Sequence, residues 1–301
     1  CPTLEINIAL WMLMYGRSTI SLAIAINKLF RCPASPVENS KQKFQREKET
    51  QDRRKAEKEQ KHMTMSKRCI PYTPRTRELK ESIFALITTA GVHLRDQEPF
   101  NVEGDNSWRV IPGDVHVSQL MVTHDHYDHQ DADQDINCVF PIERLRELAA
   151  EGIIAGVSDK HLGFMGYTQN FRDLYERAAP EMARIILRSK ADGVILTAGC
   201  PLCHRVSVII QREIEMAGIP TVMIAVSPEQ SQQAGPPRII APHHFRLGHS
   251  LGGPHQNQLQ RKVLLDALKR WETREEPGHI WDIAYPEYDS SDWRPIELQE
   301  A

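Results

Sequence analysis

Short apolar, partly β-branched runs alternate along this chain with stretches of helical periodicity, and that alternation narrows its possible folds more than any other feature. Strands are expected at Ile83–Thr88 and at residues 120–123, 153–157, 194–196, 221–226 and 239–240. Between them, Ile142–Ala150 places Leu145, Leu148 and Ala149 on one helical face and stops before Gly152. Residues 171–187 carry an apolar stripe of Leu174, Ala178, Met182, Ile185 and Ile186, with Pro180 implying a kink or break. Residues 260–271 form a final amphipathic segment. Strands separated by helices of this length imply parallel units with right-handed crossovers. The expected fold class is therefore α/β, a mainly parallel sheet of β-α-β units flanked by helices, with ligands bound beyond the carboxyl ends of the strands.

The first 65 of the 301 residues differ in kind from the rest. Two apolar runs, residues 6–15 and 20–30, are each shorter than the roughly 18 to 20 apolar residues that span a bilayer. Residues 40–62 are almost wholly charged or amide-bearing, the composition of a solvated helix or a disordered segment. Residues 1–65 are thus expected to be a non-globular extension, disordered or non-native, with the natural start near Met63 or Met65, and 66–301 to be the α/β domain. A formal charge of −3 makes no case for nucleic acid or a membrane as partner. Six irregularly spaced cysteines do not form a secreted disulfide framework, so a reducing cytoplasm is the expected location.

The segment from Gly193 to His204 reads as a buried strand running into a turn, Cys200-Pro201-Leu202-Cys203-His204, that opens a helix. Free backbone N–H groups and the positive end of a helix dipole favour an anion at such a turn. Thiol pKa values there fall from about 8.5 into a range of roughly 3.5 to 7.5. Pro201 suits the first helical position, and His204 could add an imidazolium beside a thiolate. The pair reads as a nucleophile, Cys200, with a resolving partner, Cys203. Half of a zinc site and two inert buried thiols are the other readings of the same spacing.

A second group of residues competes for attention. His124, His126, Asp128 and His129 match the His-x-His-x-Asp-His spacing with which metallo-β-lactamase-like hydrolases bind zinc, which would make zinc the cofactor. The β-hairpins expected of that fold are missing ahead of the motif. Alternatively the run is an acidic, histidine-rich wall of the thiol pocket, where Asp125, His126 and Asp128 orient an amine or donate protons. His93 and Arg95 follow a strand and would share the sheet edge of Cys200, with Arg95 placed to take a substrate carboxylate.

Several motifs together resemble the selenoprotein B family of glycine, sarcosine, betaine and D-proline reductases. They are Thr88-Thr89-Ala90-Gly91-Val92-His93-Leu94, Asp125-His126-Tyr127-Asp128 with Asp131-Ala132-Asp133, Val139-Phe140-Pro141-Ile142-Glu143-Arg144-Leu145, Gly163-Phe164-Met165-Gly166-Tyr167, and the Cys200 turn. The likeness runs from about Pro71 to the last helix and includes Leu247-Gly248-His249-Ser250-Leu251-Gly252.

The resemblance implies reductive cleavage of a carbon–nitrogen bond in a small amino acid or amine. In that family a selenocysteine opens the turn motif and attacks the carbon bearing the amino group, and Cys200 stands at that position here. A separate pyruvoyl-containing subunit holds the substrate as an imine in the members that act on a free amino acid. The second cysteine, here Cys203, resolves the product, and a thioredoxin-like protein is the implied reductant. No cofactor is expected in this chain itself. A thiolate is a weaker nucleophile than a selenolate, and a plain thiol is only roughly a few per cent ionised at neutral pH. Cys200 would depend the more on its turn, on His204 and on exclusion of water. The remaining alternative is a dithiol protein that undergoes redox change without catalysis.

Overall fold

A strand buried along its whole length needs cover on both faces, and Gly193–Thr197 and Thr221–Ile224 are buried throughout. The computed structural model describes residues 69–291, which lie within one compact unit, Ala56–Ala301. The expected 1–65 extension falls outside the described residues. In chain order the strands are β1 Ile83–Thr88, β2 Val92–Leu94, β3 Trp108–Pro112, β4 Leu120–Val122, β5 Gly156–Val157, β6 Lys160–Phe164, β7 Gly193–Thr197, β8 Thr221–Ile224, β9 Ile239–Pro242 and β10 Ile280–Ile283. The main sheet runs β10-β9-β8-β7-β1-β6-β3, with β5 also paired to β1. All its pairings are parallel except that of β3 with β6, and β2 and β4 form a small antiparallel sheet beside it.

The helices are α1 Gln130–Gln134, α2 Ile142–Ala150, α3 Ala179–Arg188, α4 Pro201–Met216, α5 Pro228–Ala234 and α6 Asn257–Glu272. Helix α4 packs on α3 and α5, while α6 packs on β8, β9 and α2. The α/β expectation holds, with corrections of detail. Residues 153–155 form a turn, so the strand expected at 153–157 shortens to β5. Pro180 does not break its helix: a π turn at Leu174–Ala178 precedes it, and the wider winding accommodates a residue without an N–H. Trp271 is a packing residue, its indole N–H donating to Pro220 O (3.0 Å) and its ring lying edge-on to Phe84. Among the described residues no helix is long and apolar enough to cross a membrane.

β1 leaves one partner strand and takes up another across a bulge. Phe84 pairs with Val157 of β5, whereas Ile87 pairs with Leu162 of β6. Between them the Leu86 N–H is received by His161 Nδ1 (2.8 Å), so a side chain replaces the missing ladder carbonyl. Burial lowers the pKa of His161 from 6.5 to about 3, and that of His204, also fully buried, to about 4.

Because both folded values lie below the unfolded one, the stability gained from neutral rings is complete above about pH 6.5 and is lost as the pH falls toward 4 and below. The thermal midpoint of the chain should therefore drop progressively between about pH 7 and about pH 4. His161→Gln, which keeps an acceptor for Leu86 but cannot titrate, should flatten that profile. A midpoint insensitive to pH across this window would contradict the account.

Candidate functional site: a buried dithiol at the switch point

The chain departs from β1 toward β5 and β6 on one side and from β7 toward β8 on the other, so the carboxyl ends of these two adjacent strands mark the topological switch point of the sheet. Cys200 ends the segment after β7 and caps α4, with Pro201 at the first helical position. The Cys203 N–H donates to Cys200 Sγ (3.1 Å), the N-cap bond ordinarily made to a hydroxyl or carboxylate oxygen. In this structure Cys200 and Cys203 are joined as a disulfide, with relative exposures of 1% and 0%.

The loop after β1 supports the turn from one side. Thr89 N–H donates to Thr197 O (3.1 Å) and the Thr89 hydroxyl lies 3.1 Å from Cys203 O and 2.8 Å from Ser207 Oγ. From the other side, the Ser250 hydroxyl donates to Ala198 O (2.9 Å), which fastens the Leu247 to Gly252 segment to the turn. His249 is tied down as well, between Asp131 (2.7 Å) and the Tyr288 hydroxyl (2.9 Å). The end of β6 comes closest to the sulfur. A Cβ on Gly166, where φ is +81°, would stand 2.6 Å from Thr89 O and 2.8 Å from Cys203 Sγ.

The histidine that meets a sulfur atom is His124, on the loop after β4. Its Nε2 lies 3.1 Å from Cys203 Sγ, and its Nδ1 accepts the His126 backbone N–H (3.0 Å). Burial, followed by the neighbouring His126 and His129, lowers its pKa to about 3. Tyr127, next along the chain, is buried with its ring against Gly199, and its hydroxyl donates to Ala90 O (2.9 Å). His204, expected beside the thiolate, sits elsewhere. Its Nδ1 donates to Cys200 O (2.7 Å) and its Nε2 accepts the Val226 N–H (3.1 Å), so both ring nitrogens are spent on backbone. It ties the start of α4 to Val226, just past β8, and the histidine that lies beside a sulfur is His124, at Cys203 rather than Cys200.

The other expected residues disperse. His93 is buried between β2 and β4, bonding Leu94 O (2.7 Å) and the Thr123 hydroxyl (2.8 Å), and does not line a pocket with the cysteines. Arg95 is exposed, donates to Ser118 O (2.9 Å), and edges a cleft of about 710 Å³ with Met121, His129, Asp133, Asp135 and Arg144. Neither cysteine borders that cleft. Asp125 is exposed, and Asp128, also exposed, accepts the Gln130 N–H (3.1 Å). His126 stacks on Tyr167 with ring centroids 3.6 Å apart and bonds Val102 O (2.9 Å).

This dispersal also answers the zinc alternative. His124 turns to sulfur, His126 to Val102 and His129 to Asp133 (2.7 Å), so the His-x-His-x-Asp-His side chains do not converge on one point. Among the described residues the group of His, Cys, Asp or Glu donors that does converge is His124, Cys200 and Cys203, within 4.8 Å of one another. Two of those donors are bonded to each other, and the hydrogen bond at His124 Nδ1 leaves the proton on the nitrogen that would face the metal. The donor set does not fit a metal ion in this state.

The Gly163-Phe164-Met165-Gly166-Tyr167 motif quoted for the resemblance contains this close approach, at Gly166. Sequence reasoning gave no site role to Thr89 or Tyr127, and it placed His124 either among metal ligands or in a 124–129 wall of the thiol pocket without a part of its own. Gly166→Ala should lower the stability of the oxidised chain by more than about 1 kcal/mol, read as a shift in its denaturation midpoint. An unchanged midpoint would mean that the contact with Cys203 and Thr89 is not tight.

Comparison with known proteins bears on what this site belongs to. Residues 53–199 match the family model for glycine/sarcosine/betaine reductase selenoprotein B. The D-proline reductase subunit gamma of Acetoanaerobium sticklandii is 42% identical over 214 residues, which cover 71% of this chain and 88% of that protein. The glycine reductase complex component B subunit gamma of Carboxydothermus hydrogenoformans is 28% identical, and the sarcosine reductase complex component B subunit beta of Peptoclostridium acidaminophilum 23%. The aligned region covers 71% of this chain in both cases, but only 51% and 50% of those longer proteins. No solved structure matches the chain significantly. With nearly the whole length of the D-proline reductase subunit aligned, the chain belongs to the selenoprotein B family of glycine, sarcosine, betaine and D-proline reductases.

Proposed function

We propose that this chain is the thiol-bearing subunit of a reductase that cleaves a carbon–nitrogen bond in an amino acid, with D-proline the first substrate to test. The observation that carries the reading is the Cys200–Cys203 pair at the amino end of α4, at the switch point of the sheet. The alignment over 88% of a D-proline reductase subunit supports the choice of substrate.

In the reduced protein Cys200 is the nucleophile. Its Sγ accepts a backbone N–H and faces the positive end of α4, both of which favour thiolate. The thiolate attacks the carbon bearing nitrogen: a carbon–sulfur bond forms, the carbon–nitrogen bond breaks, and nitrogen leaves with the electron pair and takes a proton. Cys203 then attacks Cys200 Sγ. The sulfur–sulfur bond forms, the carbon–sulfur bond breaks, and the electron pair passes to carbon, which is protonated. Substrate gains two electrons and two protons, and the chain is left as the disulfide. A pyruvoyl group on a partner subunit would supply a carbonyl that makes the substrate nitrogen a better leaving group. A thioredoxin-like dithiol would return the pair to its reduced state by thiol–disulfide exchange.

The chain should be assayed with D-proline, a pyruvoyl-containing partner subunit and dithiothreitol, following the ring-opened amino acid. Cys200→Ser should abolish turnover, a loss of at least about 10³-fold for removal of a nucleophile. Cys203→Ser should accumulate substrate carbon on Cys200, seen as added mass on the intact chain. Full activity in Cys200→Ser would refute the proposal.

A further inference from the structure

The two sulfurs have different hydrogen-bond donors. Cys200 Sγ is served by the backbone N–H of Cys203, from within its own helix. Cys203 Sγ is served from another part of the fold, by His124 Nε2 at 3.1 Å. The direction of that second bond is fixed by the first atom in the chain of contacts. A backbone N–H can only donate, so the His126 N–H makes His124 Nδ1 an acceptor, and the neutral ring must carry its proton on Nε2. The proton therefore points at sulfur.

We propose that His124 is the fixed hydrogen-bond donor to Cys203, stabilising that sulfur as a thiolate once it ionises and making it the sulfur that departs when the disulfide is opened. The assignment rests on the dithiol reading given above. When a dithiol reductant attacks, its thiolate bonds to Cys200 Sγ, the bond between Cys200 and Cys203 breaks, and the electron pair goes to Cys203 Sγ, where the His124 N–H receives it. The second thiol of the reductant then attacks its own sulfur in the mixed disulfide and releases Cys200. On oxidation the Cys203 thiolate is the attacking sulfur, as the proposed cycle requires.

The surroundings suit a donor that does not itself become a cation. His124 is buried, and the titratable groups facing it are His126, Tyr127 and His129 on its own loop and Cys200 and Cys203 from α4. Met165 O, just past the end of β6, lies 3.5 Å from Cys203 Sγ and is a second acceptor beside the His124 ring, so the ring N–H faces both that carbonyl and the sulfur. No carboxylate is among these neighbours to draw a second proton onto the ring. The donor strength of His124 should accordingly stay constant across the pH range in which the thiols titrate.

The test is the redox equilibrium of the Cys200–Cys203 pair in the full chain, set against dithiothreitol or glutathione buffers, quenched with acid, and read by mass after alkylation under denaturing conditions. His124→Leu should shift the equilibrium toward disulfide by about tenfold above the pH at which Cys203 ionises, equivalent to about 30 mV. The shift should vanish at lower pH, where Cys203 is a thiol in both proteins. His124→Gln, whose amide N–H can reach the same position, should restore most of the wild-type value. A Leu variant with the wild-type equilibrium and pH slope would overturn the proposal, and so would a Gln variant shifted as far as Leu. If the Leu variant fails to fold, the Gln variant decides alone, since the proposal requires it to stay close to wild type. The readout needs no substrate, so failure of the proposed D-proline activity would leave this result standing, and the reverse.

Discussion

The parallel pairing of β1 with β7, from Phe84 opposite Gly193 to Thr88 opposite Thr197, is the constraint from which the site follows. It ends with the Thr89 N–H on Thr197 O, and beyond that bond the two chains diverge into the loops that carry Thr89 to Gly91 and Ala198 to Cys200. A slip of one residue would reverse which side chains face each helical layer and would separate Thr89 from Ser207 and from the carbonyl of Cys203. The pairing is defended at its other end by Gly193. A Cβ there would collide with Phe84 and Trp271, so the absent side chain lets the aromatic pair close over the strand start. What looks like core packing at one end of the sheet therefore sets the register of the chemistry at the other.

The same architecture explains why the two thiols are unequal although they lie three residues apart. Cys200 has extended backbone as an N-cap, and Pro201 after it brings no N–H, so the next available helical donors turn toward the Cys200 side chain. Cys203 is already inside the first turn, and its own N–H is used by its partner. Any donor to Cys203 must come from outside the helix. The loop after β4 provides it, held in place by the Tyr127 hydroxyl on Ala90 O and by the ring of Tyr127 against Gly199. Ionisation at Cys200 therefore leans on a backbone donor and the helix end, and ionisation at Cys203 on a side-chain donor from another loop.

Much of this was legible in the sequence, and what was not has a common cause. The α/β class, the strand ending at the Cys200 turn and the start of a helix at Pro201 follow from periodicity and local chemistry, which a linear pattern records. The short strands β3 and β6 were missed because Arg109 in the first and His161 and Gly163 in the second interrupt any apolar alternation, and β2 because it is three residues long with His93 at its centre. His161 is the clearest case, a polar residue in a buried strand whose place is set by an unpaired N–H of Leu86 on the neighbouring strand. The charged residues 40–62 and the apolar runs before them carry a compositional reading that the described residues do not reach. Site residues chosen by proximity in sequence, such as His93 and Arg95, fared worst, because an antiparallel pair with β4 turns His93 inward to Thr123 and leaves Arg95 on the surface.

The exchange of roles between His204 and His124 shows why spacing alone misassigns histidines. One residue after a cysteine on a helix, His204 Cβ lies about 100° around the axis from Cys203, and its ring reaches back to the carbonyl of Cys200 one turn earlier. Adjacency thus directs it away from sulfur. In the 124–129 run, alternate histidines resemble metal ligands only while their rings are free to converge. The His126 N–H on His124 Nδ1 is a local bond across two residues, and it turns one ring inward to Cys203 while the next stacks outward on Tyr167. A single backbone hydrogen bond thereby converts a spacing that suits a metal into one buried donor and one surface ring. The tautomer it enforces is the one that a thiolate can use and a metal ion cannot.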